Sequence, residues 1–100
     1  MEKEKRRINT FYLICYDIPD DKRRSKLDRL LDDYGDRVQY SVFECLLENK
    51  KFEELHRNIE KLVVRQADKV RIYRLDKDYR QHVIIIGEGK LSEYQDYYIL

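Results

Sequence analysis

Residues 11–16, Phe-Tyr-Leu-Ile-Cys-Tyr, are apolar or aromatic at every position, and the run closes on Asp17, two residues before the single proline, Pro19. Such a run reads as a buried central strand over residues 11–17, stopped where proline removes a backbone donor. The rest of the chain must then cover that strand. With 100 residues, 42% of them hydrophobic, there is enough material for one compact domain and not for two. A chain of this size buries roughly 60 to 65% of its unfolded surface, so pairing of two copies to hide more apolar area is expected.

After the strand, Asp20 or Asp21 can cap a helix whose apolar residues Leu27, Leu30, Leu31 and Tyr34 recur at i, i+3, i+4 and i+7, with Gly35 as its C-terminal stop. Residues 38–47 form either one long strand or two short ones broken near Ser41. A second helix begins after Asn49, places Phe52, Leu55, Ile59, Leu62 and Val63 on a core-facing stripe, and ends near Gln66. Residues 70–75 give a further strand and residues 83–86 a short apolar one. The order strand, helix, strand or hairpin, helix, strand, strand predicts an α+β fold with both helices on one face of a sheet.

The first ten residues are too charged for a signal peptide, and no run of roughly 20 apolar residues exists to span a membrane. Cys15 and Cys45 lie in strand-like stretches without metal-ligand spacing, which predicts two small buried hydrophobes in a reducing cytoplasm. His56 and His82 have no partner at ligand spacing and read as structural or solvent-facing.

Net charge is only +1, yet its distribution is uneven. Lys22, Arg23, Arg24, Lys26 and Arg29 stand against Asp28 alone, five minus one, a local +4; from Glu88 onward, Lys90 stands against Glu88, Glu93 and Asp96, giving −2. Cations in a first helical turn oppose the helix dipole, each at a cost on the order of 0.3 to 1 kcal/mol at low salt. They are either solvated, or they reinforce the free N–H groups of the helix start as a phosphate site. Asp17 has two readings as well. It is turn chemistry in Asp-Ile-Pro-Asp-Asp, or it is a hard oxygen ligand for Mg²⁺ that a two-fold axis would double, so that the metal activates water against a phosphodiester.

Tyr16-Asp17-Ile18-Pro19-Asp20-Asp21 with Arg23 and Arg24, then Tyr34-Gly35, then Arg37-Val38-Gln39-Tyr40-Ser41-Val42-Phe43-Glu44-Cys45, and finally Val70-Arg71-Ile72-Tyr73-Arg74-Leu75 resemble the small CRISPR-associated adaptation nucleases that partner the CRISPR integrase. The resemblance spans about residues 11–87. It implies a ferredoxin-like βαββαβ sandwich, a homodimer, and an additional C-terminal strand exchanged between the two copies. The implied organisation is a basic leader over residues 1–10, a domain over 11–87 and a tail over 88–100 that packs on the partner chain or the integrase.

By the same resemblance Asp17 is the catalytic, Mg²⁺-binding acid, facing its mate across the dimer axis, with Tyr16, Ser41 and Phe43 in support. Arg24 and Arg37 match basic positions near substrate, and Lys22, Arg23 and Lys26 join them as a nucleic-acid surface. Lys26 stands where some members carry arginine, which keeps the charge and loses bidentate geometry. The implied partners are a second copy, the integrase, and nucleic acid as duplex DNA or single-stranded RNA, with no membrane. Two functions remain open at this point: a metal-dependent endonuclease acting through Asp17, or an architectural DNA-binding subunit in spacer acquisition with Asp17 dispensable. An unrelated ferredoxin-like sensor would need a ligand pocket that the sequence does not announce.

Overall fold

A computed structural model describes residues 9–75 and 78–89. Strand β1 (Thr10–Asp17) leads into helix α1 (Asp21–Asp32), then β2 (Asp36–Gln39), β3 (Val42–Leu47), helix α2 (Asn49–Leu62), β4 (Lys69–Leu75) and a 3₁₀ turn at Tyr79–His82. The four strands form one sheet in the order β2-β3-β1-β4, with β1 antiparallel to both β3 and β4. The fold is α+β and ferredoxin-like, and β1 is the inner strand that its composition demands. Most of the leader 1–10 and most of the tail 88–100 lie outside the described residues.

The period of two in β1 sends Tyr12, Ile14 and Tyr16 beneath the helices, where they meet Leu27 and Leu31 of α1, Leu55 and Ile59 of α2, and Phe43, Cys45 and Leu47 of β3. Leu27, Leu31 and Leu55 are fully buried, each contributing about 1.5 to 3 kcal/mol from transfer out of water. Burial, followed by the negative charges of Asp36 and Glu44, pushes the Cys45 thiol up to about 12, so it stays a neutral core group. Leu13, Cys15 and Asp17 point to the other face, beside Val42, Glu44 and Leu46 of β3 and Lys69, Arg71 and Tyr73 of β4. Among the described residues that face carries no α-helix. Its buried large residue within the strands is Phe11, whose ring lies 4.3 Å from that of Tyr79, buried in the 3₁₀ turn.

One expectation left open is decided, and four change in detail. Residues 38–47 are two strands, broken at Tyr40 and Ser41, with an irregularity in the β2–β3 register between Arg37 and Gln39. Gly35 is not a left-handed helix stop. Helix α1 is closed by Asp33, whose N–H reaches the carbonyls of Leu30 and Leu31, and Gly35 is required because a Cβ there would sit 2.3 Å from the Glu44 carbonyl oxygen. Helix α2 ends at Leu62 rather than near Gln66, since Val63 turns extended and the Asp68 carboxylate captures the Val64 N–H at 2.9 Å. Residues 83–86 form no strand in the single chain, and Ile84 and Ile86 are exposed. Cys15 is half-buried on the uncovered face, not in the core.

Candidate active site

Asp17 ends β1 on the uncovered sheet face and is exposed. Strand geometry accounts for its placement: three inward residues, Tyr12, Ile14 and Tyr16, fix the register, so position 17 must point away from the helices. The chain on either side of it is held at three points. The Tyr16 N–H donates to the Ser41 carbonyl at 3.2 Å, tying the strand end to the β2–β3 turn. Arg24 donates from Nη1 to the Ile18 carbonyl at 2.9 Å while its Nη2 engages Asp21. Asp20 caps α1 by accepting the Arg23 N–H at 2.9 Å. Ile18 is buried between these anchors. The loop that follows the carboxylate is therefore fixed by its own sequence, Asp-Ile-Pro-Asp-Asp-Lys-Arg-Arg, through caps and backbone contacts.

Tyr16, next in the chain, lies on the opposite face from Asp17 and touches a different set of groups. Its hydroxyl donates to Asp28 Oδ1, and the other oxygen of Asp28 pairs with Arg37 Nη2 at 3.0 Å. The Arg37 guanidinium lies 5.4 Å from the centre of the Phe43 ring, which in turn stacks 6.3 Å from Tyr16. Burial, then the hydrogen bond and charge of Asp28, hold the Tyr16 phenol well above its usual range, with Arg37 opposing, so it remains a neutral donor. The Tyr16–Asp28–Arg37–Phe43 cluster joins β1, α1, β2 and β3 under the sheet. It supports Asp17 through the backbone and not by contact.

The basic residues divide. Arg23 makes a bidentate pair with Asp68, Nε to Oδ2 at 2.8 Å and Nη2 to Oδ1 at 2.9 Å, and the Asp68 side chain is 0% exposed. The Arg23 hydrogen bonds hold the Asp68 carboxyl below the usual carboxylate range, against the opposing effect of burial, and the Val64 N–H adds to them. Arg24 and Arg37 are paired as above. Lys22 and Lys26 are exposed and, among the described residues, enter no ion pair; Arg29 joins them at the i, i+4, i+7 positions of one helix face. This stripe runs along about 10 Å of the helix axis.

Sequence reasoning missed Asp28, Asp68 and Lys69. Asp68 is 45 residues from Arg23, so only the fold shows the pair. The Lys22–Lys26–Arg29 spacing was readable in the sequence. Among the described residues no group of three His, Cys, Asp or Glu side chains converges as a metal site. Asp17 alone offers Mg²⁺ one hard oxygen donor, and protein sites for this ion use one or two carboxylates with water and substrate oxygens completing the shell. The donor type fits, and Asp17 is one such carboxylate.

The family model described as CRISPR associated protein Cas2 matches residues 10–83. The chain is 48% identical over 82 residues to the CRISPR-associated endoribonuclease Cas2 3 of Synechocystis, a match covering 82% of this chain and 89% of that one. Among solved structures it superposes on the Streptococcus pyogenes Cas2 crystal structure with a TM-score of 0.68 at 30% identity, covering 77% of this chain and 99% of the other. It also superposes on a chain of a partial Cas6-RT-Cas1–Cas2 complex with a TM-score of 0.67 at 38% identity, over 77% and 90% of the two chains. The family model over residues 10–83, a matching βαββαβ topology and alignments that cover nearly the whole length of the relatives place this chain in the Cas2 family of CRISPR-associated proteins.

Proposed function

We propose that the chain acts in CRISPR adaptation as a homodimer that binds nucleic-acid backbone, assembles with a Cas1 integrase and hydrolyses phosphodiester bonds with Mg²⁺ held between two Asp17 carboxylates. The observation that carries this reading is the uncovered sheet face. Leu13, Cys15, Val42 and Leu46 leave it half apolar, and Asp17 stands at its end, four residues along β1 from Leu13, the position that Glu44 pairs; among the described residues no group of three His, Cys, Asp or Glu side chains converges there. A second copy seated on that face buries the apolar part and brings its own Asp17. Mg²⁺, if held there by Asp17, would supply a water of lowered pKa and neutralise charge on the phosphate. The residues of this chain hold Asp17 at the end of a fixed strand, and Lys22, Lys26 and Arg29 offer charge to the polynucleotide.

An architectural role without cleavage is the second reading, and the unpaired stripe on α1 favours it, because backbone binding needs no metal. Cleavage of single- and double-stranded RNA and DNA, with and without Mg²⁺, by wild type and by Asp17→Asn separates the two. The nuclease reading expects Mg²⁺-dependent cleavage that the substitution abolishes, with duplex binding retained. Cleavage at the wild-type rate by Asp17→Asn removes Asp17 from the chemistry. If wild type cleaves none of the four substrates yet binds duplex, the architectural reading stands.

A further inference from the structure

Within the β1–β4 ladder Asp17 faces Lys69, and both side chains are exposed on the uncovered face. Residues directly opposite in an antiparallel pair have Cβ atoms about 4.5 to 5.5 Å apart, so an ammonium group lies within reach of anything that Asp17 engages. Among the described residues neither the Asp17 nor the Lys69 side chain enters a hydrogen bond or an ion pair. The lysine is therefore not consumed by its neighbours. The chain immediately before it is unusually well fixed. Asp68, whose side chain is fully buried, takes two hydrogen bonds from Arg23 and one from the Val64 N–H. Both carboxylate oxygens are engaged, and through them the entry of β4 is locked to the first turn of α1, the same turn that carries Lys22 and whose cap adjoins the Asp17 loop.

We propose that Lys69 is a substrate-binding residue of the Asp17 site, holding a phosphate of the polynucleotide next to the scissile one, and that Asp68 and Arg23 are its positioning residues. This rests on the reading of Asp17 as the centre of a phosphodiester site. A cation directly across from the candidate metal ligand neutralises phosphate charge without occupying the metal's coordination sphere. A long, single-headed lysine suits a phosphate whose exact orientation varies with sequence, because it acts as a point charge. Arg23, counted from the sequence among the substrate contacts, instead spends its fork on Asp68 and acts at one remove.

The test uses the full chain as wild type, Lys69→Met, Lys69→Arg and Asp68→Asn. Duplex DNA affinity is measured against NaCl concentration, and initial cleavage rates are measured in Mg²⁺. If each Lys69 neutralises one phosphate, the slope of log affinity against log salt becomes shallower by about 0.9 for each such phosphate in Lys69→Met and returns in Lys69→Arg. Cleavage shows a raised KM with kcat little changed in Lys69→Met. Asp68→Asn leaves the charge on Lys69, and with it the slope assigned to that residue, but raises KM, because the lysine is no longer fixed. Wild-type slope and KM in Lys69→Met overturn the proposal for Lys69 while leaving the Asp17 reading intact. Absence of salt-dependent binding and of cleavage in wild type itself overturns that reading and this inference with it.

Discussion

Arg23, Arg24 and Arg37 carry the same formal charge as Lys22, Lys26 and Arg29, yet the two sets live differently. The first three are each engaged, with Asp68, with Asp21 and the Ile18 carbonyl, and with Asp28. The second three lie on the outer face of α1, exposed. The local excess of +4 over residues 22–29 counts Arg23 and Arg24 of the first set alike with all three of the second. What separates them is the position of the acids: Asp68 and Asp28 approach from other elements of the fold and Asp21 from one helical turn away. The engaged arginines stabilise the frame around Asp17, and the outer cations are what remains for an anionic partner. A planar fork suits the first task and a flexible charge the second.

The sharpest way to break this division is to remove Asp68. Asp68→Ala strips the partner from a pair whose carboxylate is fully buried and whose arginine is one-quarter exposed, so the loss lies near the lower end of the usual range, about 3 kcal/mol. For a domain of this size that lowers Tm by more than about 10 °C in a thermal melt. An unchanged melt means that Arg23 is free to serve a ligand. The pH dependence follows from the same pair. Because the folded carboxyl is held low, its stabilising contribution is present above the unfolded value near pH 4 and is lost as pH falls through the folded value. Acid-unfolding curves of wild type should therefore fall more steeply below about pH 4 than those of Asp68→Asn, and parallel curves would contradict the pairing.

Gly35→Ala comes next in size. Its Cβ meets a backbone oxygen that cannot swing away, at 2.3 Å, and the Cys45 sulfur at 2.5 Å, so β2 must shift at a cost of about 1 to 3 kcal/mol by chemical denaturation. A neutral result would show that the helix–strand junction relaxes freely. Tyr16→Phe removes one hydrogen bond to Asp28 while Arg37 keeps its own, for an expected loss of about 1 kcal/mol. A loss well above that value would make the cluster under the sheet more than the sum of its bonds.

The smallest effect on stability belongs to the outer stripe. Lys22→Ala, Lys26→Ala and Arg29→Ala together should leave stability within about 0.5 kcal/mol per site, since exposed charges without partners hold little of the fold together. The same triple variant should flatten the salt dependence of duplex binding by up to about 0.9 for each phosphate that is no longer neutralised. Arg23→Ala with Arg24→Ala should do the reverse, lowering Tm and leaving the slope near wild type. If the arginine pair flattens the slope instead, the ion pairs open on binding and the two sets are not distinct.

How far the residues could be read without coordinates follows from the range of the interactions involved. β1, α1 and α2 announce themselves because each is a local pattern: an apolar run before a proline, and stripes at i, i+3, i+4. The role of Gly35 was not local, since what forbids a side chain there is the carbonyl of Glu44 on the next strand but one of the chain's path. The exposed isoleucines at 84 and 86 read as a strand by composition, but an apolar run becomes a strand only by pairing in a ladder, and residues 83–86 join none of the described strands. Asp17 was visible as a strand-end acid. Its opposition to Lys69 depended on the register of two strands more than 50 residues apart, which no spacing rule supplies.

The central claim is that the phosphodiester site is shared, one Asp17 from each of two copies. Co-refolding wild type with Asp17→Asn at varied ratios and measuring Mg²⁺-dependent cleavage tests it most directly. If both carboxylates are needed, activity falls as the square of the wild-type fraction, leaving about one quarter of it in an equal mixture of freely exchanging copies. Activity that falls in simple proportion, to about one half, shows each Asp17 working alone and contradicts the shared site.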